Sequence, residues 1–393
     1  MYTPIEHSRR GFSKDEYLAR LARAQELMSE AKLGALLLTT EPEVRYFSGF
    51  LTRFWESPTR PWFLVVPAEG MPVAVIPEMG AAAFAREFIG EIRTWPSPRP
   101  SDEGISLVAD TAKSLAGRQG RIGVPMGTES YLRMPLADWG RLAQTLGPGR
   151  LAPDAGIMRK LRLVKSEAEI EKIRTACAIG GRSFARLGEI AAPGVPLDQV
   201  FRQFQALALE EGADWVAYLA GAAGPAGYSD VISLATEAPL AVGDVLMLDT
   251  GIVHDGYYCD FDRNVAIGEP ASKIADAHAR LVEAVDAGAA VARPGASAAD
   301  LFQAMAKVLG LQDGGDVGRL GHGLGMQLTE WPSLIPSDRT VLQEGMVLTL
   351  EPAIAMGKGR VLVHEENIVI RADGPEFLSP KARAQIPLIG GAA

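Results

Sequence analysis

Five residues in the last third of the chain have the types and settings for metal chemistry: Asp249, Asp260, His322, Glu351 and Glu365. Asp249 closes the apolar run Val245-Leu246-Met247-Leu248. Asp260 follows eleven residues later, past a Gly256-Tyr257-Tyr258 turn. His322 stands in Gly321-His322-Gly323-Leu324-Gly325, Glu351 closes Met346-Val347-Leu348-Thr349-Leu350, and Glu365 precedes Ile368-Val369-Ile370. Four carboxylates and one imidazole carry four negative charges, which two divalent cations would neutralise. Brought together without metal, the carboxylates would repel one another and lose hydration at high cost. With metal they offer an oxygen-rich set with one nitrogen, suited to Mn, Fe, Co or Zn. Strand periodicity lets only one of the neighbours Glu365 and Glu366 face such a site, so Glu366 is an adjacent competitor to Glu365.

These ligands need rigid carriers, and most of the runs that hold them read as strands: 245–252, 257–266, 346–354 and 361–371. Helices are expected at 166–190, opened by the capping-box pattern Ser166-Glu167-Ala168-Glu169, and at 197–212, 271–292 and 298–309. The C-terminal part, residues 156–393, is therefore expected to be α+β, with helices on one face of a largely antiparallel sheet. Residues 1–155 read as a smaller α/β domain. A helix is expected at 15–33 and another at 103–116; strands are expected at 34–40, 63–67, 72–77 and 121–124. The tail Gly390 to Ala393 is expected to fray.

The totals describe a globular chain with ample core: 393 residues, 47% hydrophobic and 22% charged. The net charge of −9 and the lack of a basic stripe argue against nucleic acid and anionic membranes as partners. The first twenty residues are polar and of mixed charge, unlike a signal peptide. No apolar run is long enough to span a bilayer. The two cysteines, Cys177 and Cys259, form no CxxC pair, which points to a reducing cytoplasm. Cys259 reads as a small buried residue on a strand.

The motifs Leu248-Asp249-Thr250-Gly251, Gly256-Tyr257 with Asp260-Phe261-Asp262-Arg263, Gly321 to Gly325, Leu350-Glu351-Pro352 and Glu365 to Val369 resemble, in order and spacing, those of the pita-bread metallohydrolases. This is peptidase family M24, which includes methionine aminopeptidase, Xaa-Pro aminopeptidase, prolidase and creatinase. Val44-Arg45-Tyr46-Phe47-Ser48-Gly49-Phe50 resembles the creatinase/prolidase-type N-terminal domain, so the likeness covers nearly the whole chain. The resemblance implies a pita-bread catalytic fold. Asp249 would chelate one metal, His322 and Glu351 the other, and Asp260 and Glu365 would bridge both. A water held between the metals would be the nucleophile, with Glu351 moving the proton.

The sequence departs from the family's peptidases at two histidines that contact the substrate carbonyl, one upstream of the first metal Asp and one about seven residues after the metal His. The five histidines here are His7, His254, His278, His322 and His364. The upstream window reads Tyr228-Ser229-Asp230-Val231-Ile232-Ser233, and Thr329 stands seven residues after His322. Tyr228 and Thr329 are the candidate catalytic replacements; a hydroxyl donates a hydrogen bond but does not shuttle protons near neutral pH. A second resemblance is to the pita-bread dimethylsulfoniopropionate lyase, around Trp215, from Ala220-Gly221 onward, and at Glu330-Trp331-Pro332. That lyase has a further acidic residue where Gly251 stands.

The segment Arg53-Phe54-Trp55-Glu56-Ser57-Pro58-Thr59-Arg60-Pro61-Trp62 puts two Trp and two Arg in ten residues. Arg53, Trp55, Arg60 and Trp62, with Trp331, are the candidate substrate-binding residues. In creatinase-type dimers the N-terminal domain reaches over the partner's active site, so the resemblance implies a homodimer whose site borrows this loop. The overall expectation is a cytoplasmic two-metal hydrolase cleaving a C–N bond in a small amide or Xaa-Pro dipeptide. The alternative is a non-peptidase pita-bread enzyme acting on a small osmolyte or N-methylated compound.

Overall fold

A computed structural model describes residues 10–57, 60–311 and 318–390. His7, Pro58, Thr59 and the tail residues Gly391, Ala392 and Ala393 lie outside the described residues. The chain divides into two compact units, Met1–Arg162 and Leu163–Ala393. The division falls a few residues after position 155, inside a short helix over Ile157–Leu163. Among the described residues no helix is long and apolar enough to cross a membrane.

The first unit carries a six-stranded mixed sheet. Its strands are β1 (Leu33–Leu38), β2 (Phe63–Pro67), β3 (Val73–Pro77), β4 (Glu91–Trp95), β5 (Arg121–Val124) and β6 (Leu151–Pro153), in the order β4-β3-β2-β1-β5-β6. Ala35 and Leu37 of β1 share one core with Val108, Ala109 and Ala112 of the helix Ile105–Ala116, as period-two alternation requires. The helix Lys14–Ala31 packs on the same central strand. Strand β4 and the helices Glu41–Ser48 and Leu136–Leu146 were not legible in the sequence.

The second unit departs from the expected single sheet. It has two five-stranded sheets and a separate hairpin. The first sheet comprises β7 (Trp215–Gly224), β8 (Val245–His254), β9 (Tyr257–Tyr258), β10 (Phe261–Ile267) and a short C-terminal strand, Leu388–Ile389. The second comprises β11 (Gly321–Gly323), β12 (Glu330–Ser333), β13 (Val347–Leu350), β16 (Glu366–Arg371) and β17 (Gly374–Phe377), in the order β12-β11-β13-β16-β17, all antiparallel. Strands β14 (Ala353–Gly357) and β15 (Arg360–Val363) form the hairpin. The expected strands 346–354 and 361–371 are thus each broken in two, at Glu351-Pro352 and at His364-Glu365. A proline at 352 has no N–H for the ladder, and the breaks free the backbone beside both glutamates to turn.

Strand β8 is buried on both faces, which explains its unbroken apolar run. Val245 and Met247 enter a core shared with the helices Ser272–Val291 and Ala298–Leu309. On the other face, Ile252 of β8 and Phe261 of β10 lie against Gly180 of the helix Glu167–Ala185. The helices therefore cover the β8 sheet from both sides, not from one. The Ser166–Glu169 capping box is formed, and Glu169 Oε1 also accepts from Tyr257 at 2.8 Å, tying the helix start to the hairpin after β8. Cys259 is buried in the link between β9 and β10.

Candidate metal centre

Period two puts Asp249 on the same face of β8 as Val245 and Met247, beyond the end of their core. It pairs across the ladder with Asp262 of β10, and Asp260 stands just before that strand. Asp249, Asp260 and Glu365 converge, each buried, with one carboxylate oxygen apiece all within 4.8 Å of one another. His322 lies on β11. Its Nδ1 bonds the Gly323 carbonyl at 2.8 Å, which turns Nε2 inward, 3.2 Å from Asp260 Oδ2 and 3.4 Å from Glu351 Oε2. The five residues nominated from the sequence thus line one cavity of about 270 Å³.

The glycines around His322 are required by packing. At Gly321, with φ +150°, a Cβ would stand 2.3 Å from the Thr349 carbonyl oxygen, and at Gly323 it would stand 1.9 Å from that of Trp331. Only glycine lets β11 lie this close to β12 and β13.

The electrostatics fit a missing positive charge. Burial raises the Asp249, Asp260 and Glu365 carboxyls above the usual carboxylate range, and their mutual repulsion adds to it for Asp249 and Glu365. Burial alone would lower His322, but its bonds to Asp260 and Glu351 outweigh it and push the imidazole up to about 10. Burial likewise opposes ionisation of Glu351, yet His322 and Arg319 hold it below its ordinary value. Asp249 Oδ1 and Glu365 Oε2 are buried and have no hydrogen-bond partner among the described residues. Buried carboxylate oxygens without donors are rare and costly, and divalent cations would satisfy both. The donor set therefore fits the metals that the sequence implied.

Glu366, the rejected neighbour, points away. It accepts from Arg263 Nη2 at 3.0 Å, from the Ala382 amide at 2.6 Å and from the Ser379 hydroxyl. Burial opposes its ionisation, but Arg263, His364 and Ser379 pull it down to about 2. His364 bonds Asp262 Oδ1 at 3.2 Å, and that same oxygen accepts from the Glu365 amide at 2.7 Å. The pair anchors the backbone under Glu365.

Thr329 lines the cavity, with its Oγ1 3.5 Å from Arg319 Nη2. Tyr228 does not line it. Its hydroxyl donates to Asn264 Oδ1 at 3.0 Å and accepts from the Val363 amide at 2.8 Å, so that position serves structure. Another tyrosine, Tyr218, takes the place in the cavity. It sits at a register shift in β7, which re-aims the side chain, and burial beside Asp249 keeps its phenol protonated well above neutral pH. Arg319 is the second residue missed from the sequence. Its Nε donates to Glu351 Oε1 at 2.9 Å. A signal existed for each: Tyr218 lies between Trp215 and Ala220-Gly221, where the second resemblance begins, and Arg319 only three residues before His322.

Trp331 is half-buried on β12 and does not line the cavity. Its neighbour Glu330 forms a buried ion pair with Lys165 at 3.1 Å and accepts the Met326 and Gln327 amides, shaping the turn that carries Leu328 and Thr329. In the first unit Trp62 is buried and stacked on Phe50 at 5.1 Å. It is committed to that aromatic core, which corrects the expectation of a substrate contact there. Arg133, unnoticed in the sequence, donates to the Trp55 carbonyl at 3.2 Å and holds its guanidinium 5.1 Å from the Trp55 ring, bracing the loop that bears Arg53 and Arg60.

Comparison with known proteins identifies the family and the fold. The model of metallopeptidase family M24 matches residues 171–372, and that of the creatinase/prolidase N-terminal domain matches residues 20–164. A probable dipeptidase PepE of Mycobacterium tuberculosis is 31% identical over 369 residues, covering 92% of this chain and 93% of its own. An Xaa-Pro dipeptidase of Pyrococcus horikoshii is 26% identical over 365 residues, covering 92% and 97%. The crystal structure of dipeptidase PepE from Mycobacterium ulcerans superposes with a TM-score of 0.82 at 28% identity, covering 97% of this chain and 100% of the other. The chain belongs to metallopeptidase family M24, in the form that carries a creatinase/prolidase-type N-terminal domain.

Proposed function

We propose that this protein hydrolyses the amide bond of a small, Xaa-Pro-like dipeptide at two divalent cations. Asp249, Asp260, His322, Glu351 and Glu365 would hold the ions. The observation that carries this reading is the pair of buried, unpartnered oxygens, Asp249 Oδ1 and Glu365 Oε2, facing a cluster short of positive charge. Bound divalent ions supply Lewis acidity, lowering the pKa of water towards neutrality and polarising a carbonyl.

The chain's own groups do the rest. Glu351 presents Oε2 to His322 and Oε1 to Arg319, and it moves the proton from the attacking water to the leaving nitrogen. Tyr218 and Thr329 line the cavity as hydroxyl donors for the oxygen on which charge develops, in place of the absent histidines. Val231, Leu328 and Val363 offer an apolar wall for a ring, with the exposed Ile232 at its rim.

The lyase-like alternative calls for an acidic side chain at position 251. Gly251 stands there and offers no carboxylate, which favours hydrolysis. The same reading has residues 1–155 and 156–393 as N-terminal and catalytic domains of a cytoplasmic homodimer, with Arg53, Trp55 and Arg60 of each copy serving the other's site. A monomer in light scattering at working concentration would overturn the dimer.

The test is elemental analysis of protein purified without chelators, followed by proline release from Xaa-Pro dipeptides. Close to two transition-metal ions per chain with proline release supports the reading. Full metal loading with no peptide cleaved overturns the hydrolysis; no uptake of Mn, Fe, Co or Zn overturns the site.

A further inference from the structure

The Glu365 carboxylate is aimed by its backbone. Its Oε2 is buried beside Asp249 and Asp260 and has no hydrogen-bond partner among the described residues. Strand β16 begins at the next residue, Glu366, so a slip of one residue would carry Glu366 into the cavity and Glu365 out of it. The register therefore needs an anchor of its own.

That anchor lies across the β16–β17 hairpin. The ladder pairs Ile368 with Phe377 and runs on as the Leu378 amide donates to the Asn367 carbonyl at 2.8 Å. This brings Ser379, only 2% exposed, against the start of β16. The Ser379 hydroxyl donates to Glu366 Oε2 and accepts from the Asn367 amide at 2.9 Å. Its one proton and one lone pair are thus committed to the two residues that follow Glu365. Arg263 Nη2, at 3.0 Å, and the Ala382 amide, at 2.6 Å, hold the same Glu366 carboxylate away from the cavity. Ahead of the ligand candidate, Asp262 Oδ1 accepts the Glu365 amide at 2.7 Å. The backbone is pinned on both sides of Glu365, and Ser379 supplies the later pin.

Asn367 carries the effect further. Its side chain bonds the Asp260 amide at 2.9 Å and the Asp260 carbonyl at 2.5 Å. The hydroxyl that holds the Asn367 main chain thus steadies two metal-ligand candidates, Glu365 and Asp260, through residues that are not ligands themselves.

We propose that Ser379 is a positioning residue for the metal centre. It keeps β16 in the register that presents Glu365 and withholds Glu366, and it holds Asn367 in place on Asp260. The proposal rests on the metal-centre reading above and is independent of which bond is cleaved there.

The test uses the full chain, stripped with chelator and titrated with Co(II). Calorimetry gives the affinity, visible d–d absorption reports the ligand geometry, and denaturant unfolding of the metal-free protein gives the stability. Ser379→Ala removes the hydroxyl and Ser379→Thr retains it. Phe377→Leu loosens the same hairpin by packing alone. Ser379→Ala is expected to weaken Co(II) binding by about 10- to 100-fold and to change the absorption spectrum of the folded protein. Ser379→Thr recovers most of the affinity and the wild-type spectrum. Phe377→Leu loses stability and keeps both. Wild-type affinity and spectrum in Ser379→Ala overturn the proposal. So does Phe377→Leu weakening the metal as much as Ser379→Ala, or Ser379→Thr recovering nothing, since either would make the hydroxyl an element of the fold alone. Should Ser379→Ala fail to fold, Ser379→Cys, of similar shape and weaker bonding, is read by the same criteria. A wild type that takes up no Co(II) overturns the metal reading and this proposal together. A wild type that binds Co(II) and cleaves no Xaa-Pro dipeptide overturns the hydrolysis alone.

Discussion

The side-chain amide of Asn367 grips the backbone of Asp260 at both ends. Its Nδ2 donates to the Asp260 carbonyl at 2.5 Å, and its Oδ1 accepts from the Asp260 amide at 2.9 Å. Asn367 lies on β16 of one sheet and Asp260 just before β10 of the other, so this clasp fixes the two sheets against each other at the metal centre. The Thr349 hydroxyl, from β13, adds a third bond to the same carbonyl at 2.8 Å. Asn367→Ala should therefore weaken metal affinity by about 10- to 100-fold and cost about 1–3 kcal/mol of stability. Metal titration and denaturant unfolding of the variant check both; unchanged metal affinity would show that the clasp does not position Asp260.

Glu365 and Glu366 should separate cleanly in mutagenesis. Glu366→Gln breaks charge-assisted bonds to Arg263 and Ser379 and should cost about 2–3 kcal/mol in the metal-free protein. Glu365→Gln removes a buried carboxylate crowded by Asp249 and Asp260, so the metal-free protein should be as stable or more so, while metal binding is lost. Asp260→Asn should abolish metal binding and turnover. The reverse ranking of the two glutamates in metal titration would exchange their roles.

The stability of the metal-free protein should fall as pH rises from about 5.5 to 8. Asp249, Asp260 and Glu365 keep protons in the folded state that the unfolded chain releases near pH 4, so unfolding is favoured as pH climbs from there through their raised values. His322 has the same sign: its contribution is full below the ordinary histidine value and is lost as pH rises through about 10. Glu351 and Glu366, held low, stay ionised across this window and do not tilt it. Metal binding displaces the protons, so metal affinity should rise over the same range and added metal should flatten the stability profile. Melting temperatures at several pH values, with and without chelator, read this directly. A metal-free Tm that climbs with pH contradicts it.

Tyr218→Phe and Tyr228→Phe should differ in kind. The first removes a hydroxyl that faces the cavity and should slow turnover by about 100-fold with metal content intact. The second leaves Asn264 Oδ1 and the Val363 amide without their partner and should cost about 1–3 kcal/mol, with far less effect on kcat. Equal losses of kcat in both would remove the distinction drawn from their positions.

Lys165 and Glu330 form an ion pair with both side chains only 2% exposed. Lys165→Met strands a buried carboxylate and should cost about 3–5 kcal/mol, while the double variant Lys165→Met with Glu330→Leu should cost less than that single change. A double-mutant cycle in denaturant provides the comparison. Costs that simply add would mean that the pair is not coupled.

The sequence by itself determined the candidate ligand set and most of its carriers. Asp249, Asp260, His322, Glu351 and Glu365 could be named because each abuts an apolar strand run or a glycine-flanked turn, and such local signals survive without coordinates. That only one of Glu365 and Glu366 would face the site was also legible, since adjacent residues on a strand face opposite sides; which of the two came from the family resemblance. What only the tertiary structure decided is whatever depends on partners distant along the chain. Tyr228 fell in the right window, yet its hydroxyl is consumed by Asn264 and Val363, and a register shift in β7 brings Tyr218 into the cavity instead. Trp62 looked like a surface recognition residue but stacks on Phe50 inside its own unit. Arg319 gains its meaning from Glu351, thirty-two residues away. Composition and spacing report which groups are available. Burial, pairing and charge balance decide which of them are free to act, and these arise only when the strands pack.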